Sequence, residues 1–325
     1  MMILTDYFRS NYDITWDYAK QCGVSHGVIR LPETKEFDLT NKSHWESVYK
    51  RFTDYGITPL IVEPMPNEVH DHIKAGDNLR DESIEKVQKM MPIMRELKVD
   101  TICFNWMAHI GWFRTRNDIE ERGGALVTEF NAHDFQPKAG VGISEKELWD
   151  NYEYFLKAIM PTAEKYGIKL ALHPDDPPVP KMGDVSRIMV SVDNIKKAIY
   201  AVYPSENLGL TMCQANFYIM GADVEKTIRD FAKKIFFVHF RNTTGTLKKF
   251  RETFHDNGDL DMAKLIRLYT ELGINVPVRV DHVPTLKGED TEVAGYAAQG
   301  RLFALGYLKG LLEAVNREPK NDKNL

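Results

Sequence analysis

The stretch KLALHPDDPP, Lys169 to Pro178, is an apolar run that ends abruptly in a histidine and two aspartates set among prolines. A short apolar run closed by breakers reads as a strand buried on both faces, as in a parallel sheet. Working outward, seven more such runs appear: MILTDYF from Met2, GVIRL from Gly27, TPLIVE from Thr58, TICFNWM from Thr101, LGLTMC from Leu208, IFFVHF from Ile235 and VPVRVDH from Val276. Between them lie stretches of helical period. DESIEKVQKMMPIMREL from Asp81 has an acidic first turn, and SEKELWDNYEYFLKAIMPTAEKYG is opened by Ser144 and closed by Gly167. Eight strands, each followed by a helix, predict an α/β fold: one (β/α)8 TIM barrel over residues 1–325. A doubly wound open sheet is disfavoured because no glycine-rich phosphate loop follows the first strand.

Two long connections break the rhythm, near residues 108–142 and 241–261. In a barrel both follow strand ends, on the face where active sites are built. No internal repeat or low-complexity segment interrupts the chain.

A net charge of −5 and a pI near 6.1 offer no concentrated basic surface for phosphates, so nucleic acid is not an expected partner. Cys22, Cys103 and Cys213 are odd in number and far apart, which fits neither a disulfide framework nor a zinc ribbon. The N-terminus meets charge too early for a signal peptide, and nothing approaches the ~18 apolar residues of a spanning helix. The expectation is a cytoplasmic protein without a membrane partner.

Four successive strands end in metal-capable side chains: His173, Cys213, His239 and Asp281. One histidine at a strand end is commonly structural, and one cysteine in an apolar strand commonly a small hydrophobe. Four aligned at the same end of neighbouring strands, about 4.8 Å apart, are not explained by packing, and they are expected to converge on one ion. Two imidazoles, a thiolate and a carboxylate suit Mn, Fe, Co or Zn better than Ca²⁺ or Mg²⁺. Asp175 and Asp176 follow the first ligand, where they could orient an imidazole or receive substrate hydroxyls. Trp112 and Arg114 belong to the first long connection, and Arg suits bidentate capture of a carboxylate. Asp175, Trp112, Arg114 and Arg241 are the expected substrate contacts. His255 and Asp256 read as structural or as closing the second loop.

Together VEPMPNEVHDHIKAG, LALHPDDPP, FVHFRN, ETFHDNGDLDM and DHVP...AGYAAQGRLFALGYLKGLLEA resemble the D-mannonate dehydratase family, metal-dependent enzymes on a xylose-isomerase-like barrel. The resemblance implies that His173, Cys213, His239 and Asp281 hold a divalent metal, most often Mn²⁺, with Fe²⁺ or Co²⁺ as alternatives. It implies that His282 and Tyr296 are the catalytic acid and base, that a sugar acid is the substrate, and that the chain forms a homo-oligomer, a dimer. The implied reaction is dehydration of D-mannonate to 2-keto-3-deoxy-D-gluconate, a step of hexuronate breakdown. With unperturbed values of about 6.5 for His and about 10 for Tyr, His282 is the more natural base. The chain departs from the family pattern at Val283, where a Gly is common, in QANFYIMG after Cys213, and in a first strand without the usual aromatic phrase around an Arg. The competing readings are a metal-dependent sugar or sugar-acid isomerase or epimerase, and a sugar-acid-binding barrel without turnover.

Overall fold

A computed structural model describes residues 1–136, 140–289 and 294–317. The part of the first long connection at 137–139 therefore lies outside the described residues. Eight parallel strands close a barrel: β1 (Ile3–Phe8), β2 (His26–Ile29), β3 (Thr58–Val62), β4 (Thr101–Phe104), β5 (Lys169–Leu172), β6 (Leu208–Cys213), β7 (Ile235–Phe240) and β8 (Pro277–Val280). Each coincides with a run read from sequence, and β1 pairs with both β2 and β8 to seal the ring.

The strands have two buried faces, and the period of two decides what each side chain meets. In β7, Val238 and Phe240 point outward into the large core under the helices, while Phe237 joins Val28, Ile61 and Cys103 in a small apolar plug inside the ring. His239 therefore shares the inner face with Phe237, one step nearer the C-terminal mouth. Registers Cys213↔His239 and His239↔Arg279 bring three polar side chains to one level above that plug.

The helix Glu145–Tyr166 follows its sequence signals. Ser144 and Glu147 form a reciprocal capping box, and Gly167 ends the helix at φ 65, a left-handed turn that glycine adopts without a Cβ clash. The two long connections are ordered differently from the loops expected. They pair into one antiparallel sheet, in the order 243–246, 249–252, 125–131, 116–121. Phe130 and Phe250 anchor it on Val179, Met182 and Ile219.

Candidate active site

Strand geometry brings three of the four expected metal-binding side chains, His173, Cys213 and His239, together, with Asp281 beside His239. His173 follows Leu172 of β5, Cys213 ends β6, His239 lies in β7, and Asp281 follows β8. The donor atoms of His173, Cys213 and His239 all lie within 4.8 Å of one another. His239 Nδ1 is 3.1 Å from His173 Nε2 and 3.5 Å from Asp281 Oδ2. His173 Nδ1 donates to the Pro174 carbonyl at 2.6 Å, so its Nε2 presents a lone pair to the cluster. Burial alone would push the Cys213 thiol up, but hydrogen bonds with His173 and His239 and the charge of Arg241 bring it down to about 5. Burial likewise opposes ionisation of Asp281, and the charges of His282, Arg279 and His239 override it, holding the carboxyl well below its usual range. Two nitrogens facing each other at hydrogen-bond distance, with a thiolate and a carboxylate beside them, form a donor set that fits a divalent transition ion.

The expected substrate contacts divide. Trp112 lines the cavity above this cluster, its ring 5.1 Å from that of His282. Arg114 and Arg241 are not on the cavity wall. Arg114 donates to both oxygens of Asp176, at 2.6 and 3.0 Å, and to Glu252 at 2.6 Å. Arg241 donates to Asp176 at 2.7 Å and to Glu252 at 2.8 and 2.5 Å. The four side chains are at most 2% exposed, so each guanidinium is engaged by protein carboxylates. Asp175 is also fully buried, and one of its oxygens accepts the Met189 amide at 3.0 Å. Its neighbour Asp176 is the aspartate that reaches the cavity.

His282 and Tyr296 sit together beside the cluster. Their rings are 5.5 Å apart and nearly perpendicular. His282 has φ 39, a left-handed conformation costly for any residue but glycine and concentrated at functional sites. Its Nδ1 lies 3.3 Å from Glu252 Oε1. The Tyr296 hydroxyl donates toward Asp281 Oδ1 at 3.4 Å. Burial first, and then the Asp281 charge, raise the phenol far above its usual range and keep it protonated. His255 donates Nε2–H to the Phe240 carbonyl at 2.8 Å, and Asp256 pairs with both guanidinium ends of Arg122 at 2.9 and 2.7 Å, tying the two long connections together.

The cavity over this group holds about 890 Å³, room for a small polyhydroxylated acid. Its wall includes residues that sequence reasoning did not single out, among them Tyr7, Glu63, Lys74, Arg279 and Arg301. For Glu63 and Arg279 a signal existed: each is a charge next to or within an otherwise apolar barrel strand, TPLIVE and VPVRV.

The model of the D-mannonate dehydratase family matches residues 1–140 and 136–322. Mannonate dehydratase 2 of Halalkalibacterium halodurans is 29% identical over 97% of this chain and 100% of its own length. The mannonate dehydratase of Streptococcus pneumoniae is 31% identical over 91% of this chain and 87% of its own. Among solved structures, the mannonate dehydratase of Streptococcus suis serotype 2 superposes with a TM-score of 0.87 at 27% identity, covering 97% of this chain and 94% of that one. An L-ribulose 3-epimerase, at a TM-score of 0.61 and 15% identity over 98% and 96% of the two chains, shares the barrel fold alone.

Proposed function

The chain belongs to the D-mannonate dehydratase family, and from that membership and the geometry above we infer that it removes water from D-mannonate to give 2-keto-3-deoxy-D-gluconate. It is a hydro-lyase on a TIM barrel. The observation that carries the reading is the meeting of donors from three successive barrel strands, with Asp281 of the fourth against His239 and with His282 and Tyr296 beside them.

The family implies a divalent metal, and we assign it to His173, Cys213, His239 and Asp281, with Mn²⁺ as the ion and Fe²⁺ or Co²⁺ as substitutes. Once bound, such an ion supplies the Lewis acidity that makes the weakly acidic proton α to the carboxylate removable. His282 is assigned as the base for the C2 proton. Tyr296, held protonated by burial and by Asp281, is assigned as the donor that converts the departing C3 hydroxyl to water. The enol left behind ketonises to product, so the proton taken at C2 and the one given at C3 balance. Trp112 covers His282 and limits water beside the reacting bond. Arg114 and Arg241 act from behind, holding Asp176 at the cavity wall and Glu252 under His282.

None of the helices in the described residues is long and apolar enough to cross a membrane. Three free cysteines, one of them in the metal set, fit a reducing compartment such as the cytoplasm. Light scattering of the purified chain tests the dimer that the family resemblance implies.

The test loads reduced, metal-free protein with Mn²⁺, adds D-mannonate and follows the 2-keto-3-deoxy product. Metal-dependent product, abolished in His173→Ala and in Tyr296→Phe, is the expected result. Stoichiometric metal binding without product would overturn the assigned reaction and favour a different sugar acid or an isomerisation.

A further inference from the structure

Inside the barrel mouth, the contacts around His239 form a closed frame. Its ring stands edge-on against Phe237, with centroids 4.8 Å apart at 89°. Nδ1 faces the His173 side at 3.1 Å. On the opposite side Nε2 lies 2.9 Å from Glu63 Oε1, a close ion-pair contact whose angle falls outside a hydrogen bond, and among the described residues Nε2 has no hydrogen-bond partner. Glu63 is itself fixed. Arg279 donates Nε–H to Oε2 at 2.8 Å and Nη2–H to Oε1 at 3.0 Å, and the same guanidinium donates through Nη1 to Asp281 Oδ1 at 2.8 Å. Arg279 thus bridges the carboxylate beneath His239 and the carboxylate of the neighbouring strand end.

A carboxylate can only accept, so the ring nitrogen that faces it is the one that carries hydrogen. His173 has the opposite arrangement: a carbonyl takes its Nδ1–H and leaves Nε2 free. An ion that displaces the proton shared across the 3.1 Å His173–His239 contact would leave two imidazoles of opposite tautomer with lone pairs aimed at the same gap, each tautomer set by an acceptor outside the cluster.

We propose that Glu63 is the positioning residue of the metal site: it takes the Nε2–H of His239 so that Nδ1 is presented to the ion, and Arg279 holds Glu63 and Asp281 in one rigid unit. The proposal rests on the assignment of the metal site above. In this role Glu63 acts on the ion through His239.

The informative change is Glu63→Gln, which keeps the shape. An amide at this position must place its NH2 either against Arg279 Nε–H or against His239 Nε2 and Arg279 Nη2. Each orientation sets donor against donor; in the second, the conflict with His239 is relieved only if its hydrogen moves to Nδ1, where it blocks the ion, and the conflict with Arg279 Nη2 remains. Co²⁺ titration of the metal-free proteins against a competing chelator should show affinity about 10–100-fold weaker in Glu63→Gln. The cysteine-to-cobalt charge-transfer band should remain, because Cys213 is untouched. A variant that unfolds thermally like wild type and binds Co²⁺ equally well would overturn the proposal.

A second readout needs no variant. In wild-type protein loaded with Zn²⁺ and labelled with ¹⁵N-histidine, His239 should carry its single hydrogen on Nε2, and a hydrogen on Nδ1 would overturn the proposal even if Glu63→Gln failed to fold. Wild-type protein that binds no Co²⁺ at all would overturn the metal assignment beneath the proposal, a result distinct from equal binding by the two proteins.

Discussion

Replacing Glu252 by Gln tests whether the buried quartet of Arg114, Arg241, Asp176 and Glu252 holds the two long connections onto the barrel. As it stands the quartet is neutral, two guanidinium groups against two carboxylates, with all four side chains at most 2% exposed. Glu252→Gln leaves one positive charge uncompensated in a dry site, and removing one partner of such a set costs about 3–5 kcal/mol. A second route gives a similar figure. Burial opposes ionisation of Glu252, but the charges of Arg241, Arg114 and His282 bring its carboxyl from 4.5 to about 2, and at 1.36 kcal/mol per unit that shift is worth about 3 kcal/mol. The sign follows from the depressed value: the contribution is complete above the unfolded pKa near 4.5 and is lost as the pH falls toward 2. Urea unfolding at pH 7 should therefore show the variant less stable by about 3–5 kcal/mol at unchanged m-value. The gap should narrow when both proteins are compared below pH 4. A loss under about 1 kcal/mol at pH 7, or a gap that does not depend on pH, would refute the view that charge balance organises this region.

Three further outcomes are expected. His255 is held at about 4 by burial, its bond to the Phe240 carbonyl offsetting this only in part; an unfolded histidine takes its proton near 6.5. Its contribution is thus present above pH 6.5 and declines through the window from 6.5 to 4, by about 3 kcal/mol, and His255→Gln should flatten the stability profile in that window alone. A Cβ on Gly300 would lie 2.0 Å from the Pro284 carbonyl oxygen, so Gly300→Ala should cost about 1–3 kcal/mol in thermal unfolding and lower turnover by shifting the segment that carries His282; wild-type kcat would contradict this. His70 is fully buried among Phe104, Trp106 and Phe155 with neither ring nitrogen hydrogen-bonded among the described residues, so His70→Leu should raise stability by about 1–2 kcal/mol, and a loss of similar size would show that the ring has a partner.

The barrel was legible because its signal is local. Each strand is an apolar run with a breaker beyond it, and the helix from Glu145 to Tyr166 announces both ends through Ser144 and Gly167. The placing of His173, Cys213, His239 and Asp281 at successive strand ends was legible for the same reason, since a period of two fixes which side chain faces the mouth. The antiparallel sheet over the mouth was not. It pairs 125–131 with 249–252, segments more than a hundred residues apart, through three register partners, and its outer strand RNDIEE is mostly exposed and has no apolar alternation to read. The roles of Arg114 and Arg241 were hidden too, because an arginine that meets a substrate carboxylate and one that meets Asp176 look the same in a sequence.

The buried charges explain why these arginines are occupied and what is left for an ion. Arg114 and Arg241 cancel Asp176 and Glu252, and Arg301 pairs with Asp6. Around the strand-end cluster, Arg279 stands against three groups held ionised: Glu63, Asp281 and the Cys213 thiolate. Burial and the charge of Arg279 oppose protonation of His239, but the charges of Glu63 and Asp281 outweigh them and hold it protonated, so two positive charges stand against three negative and one negative charge is left over at the cluster. Burying such a surplus is costly unless a counter-charge joins it, and a divalent cation that displaces the His239 proton supplies the amount required. Substrate arriving as a monoanion then meets a centre near neutrality rather than a repulsive one. The guanidinium groups at 114 and 241 cancel two protein carboxylates beside the cavity, charges that would otherwise repel an anion there.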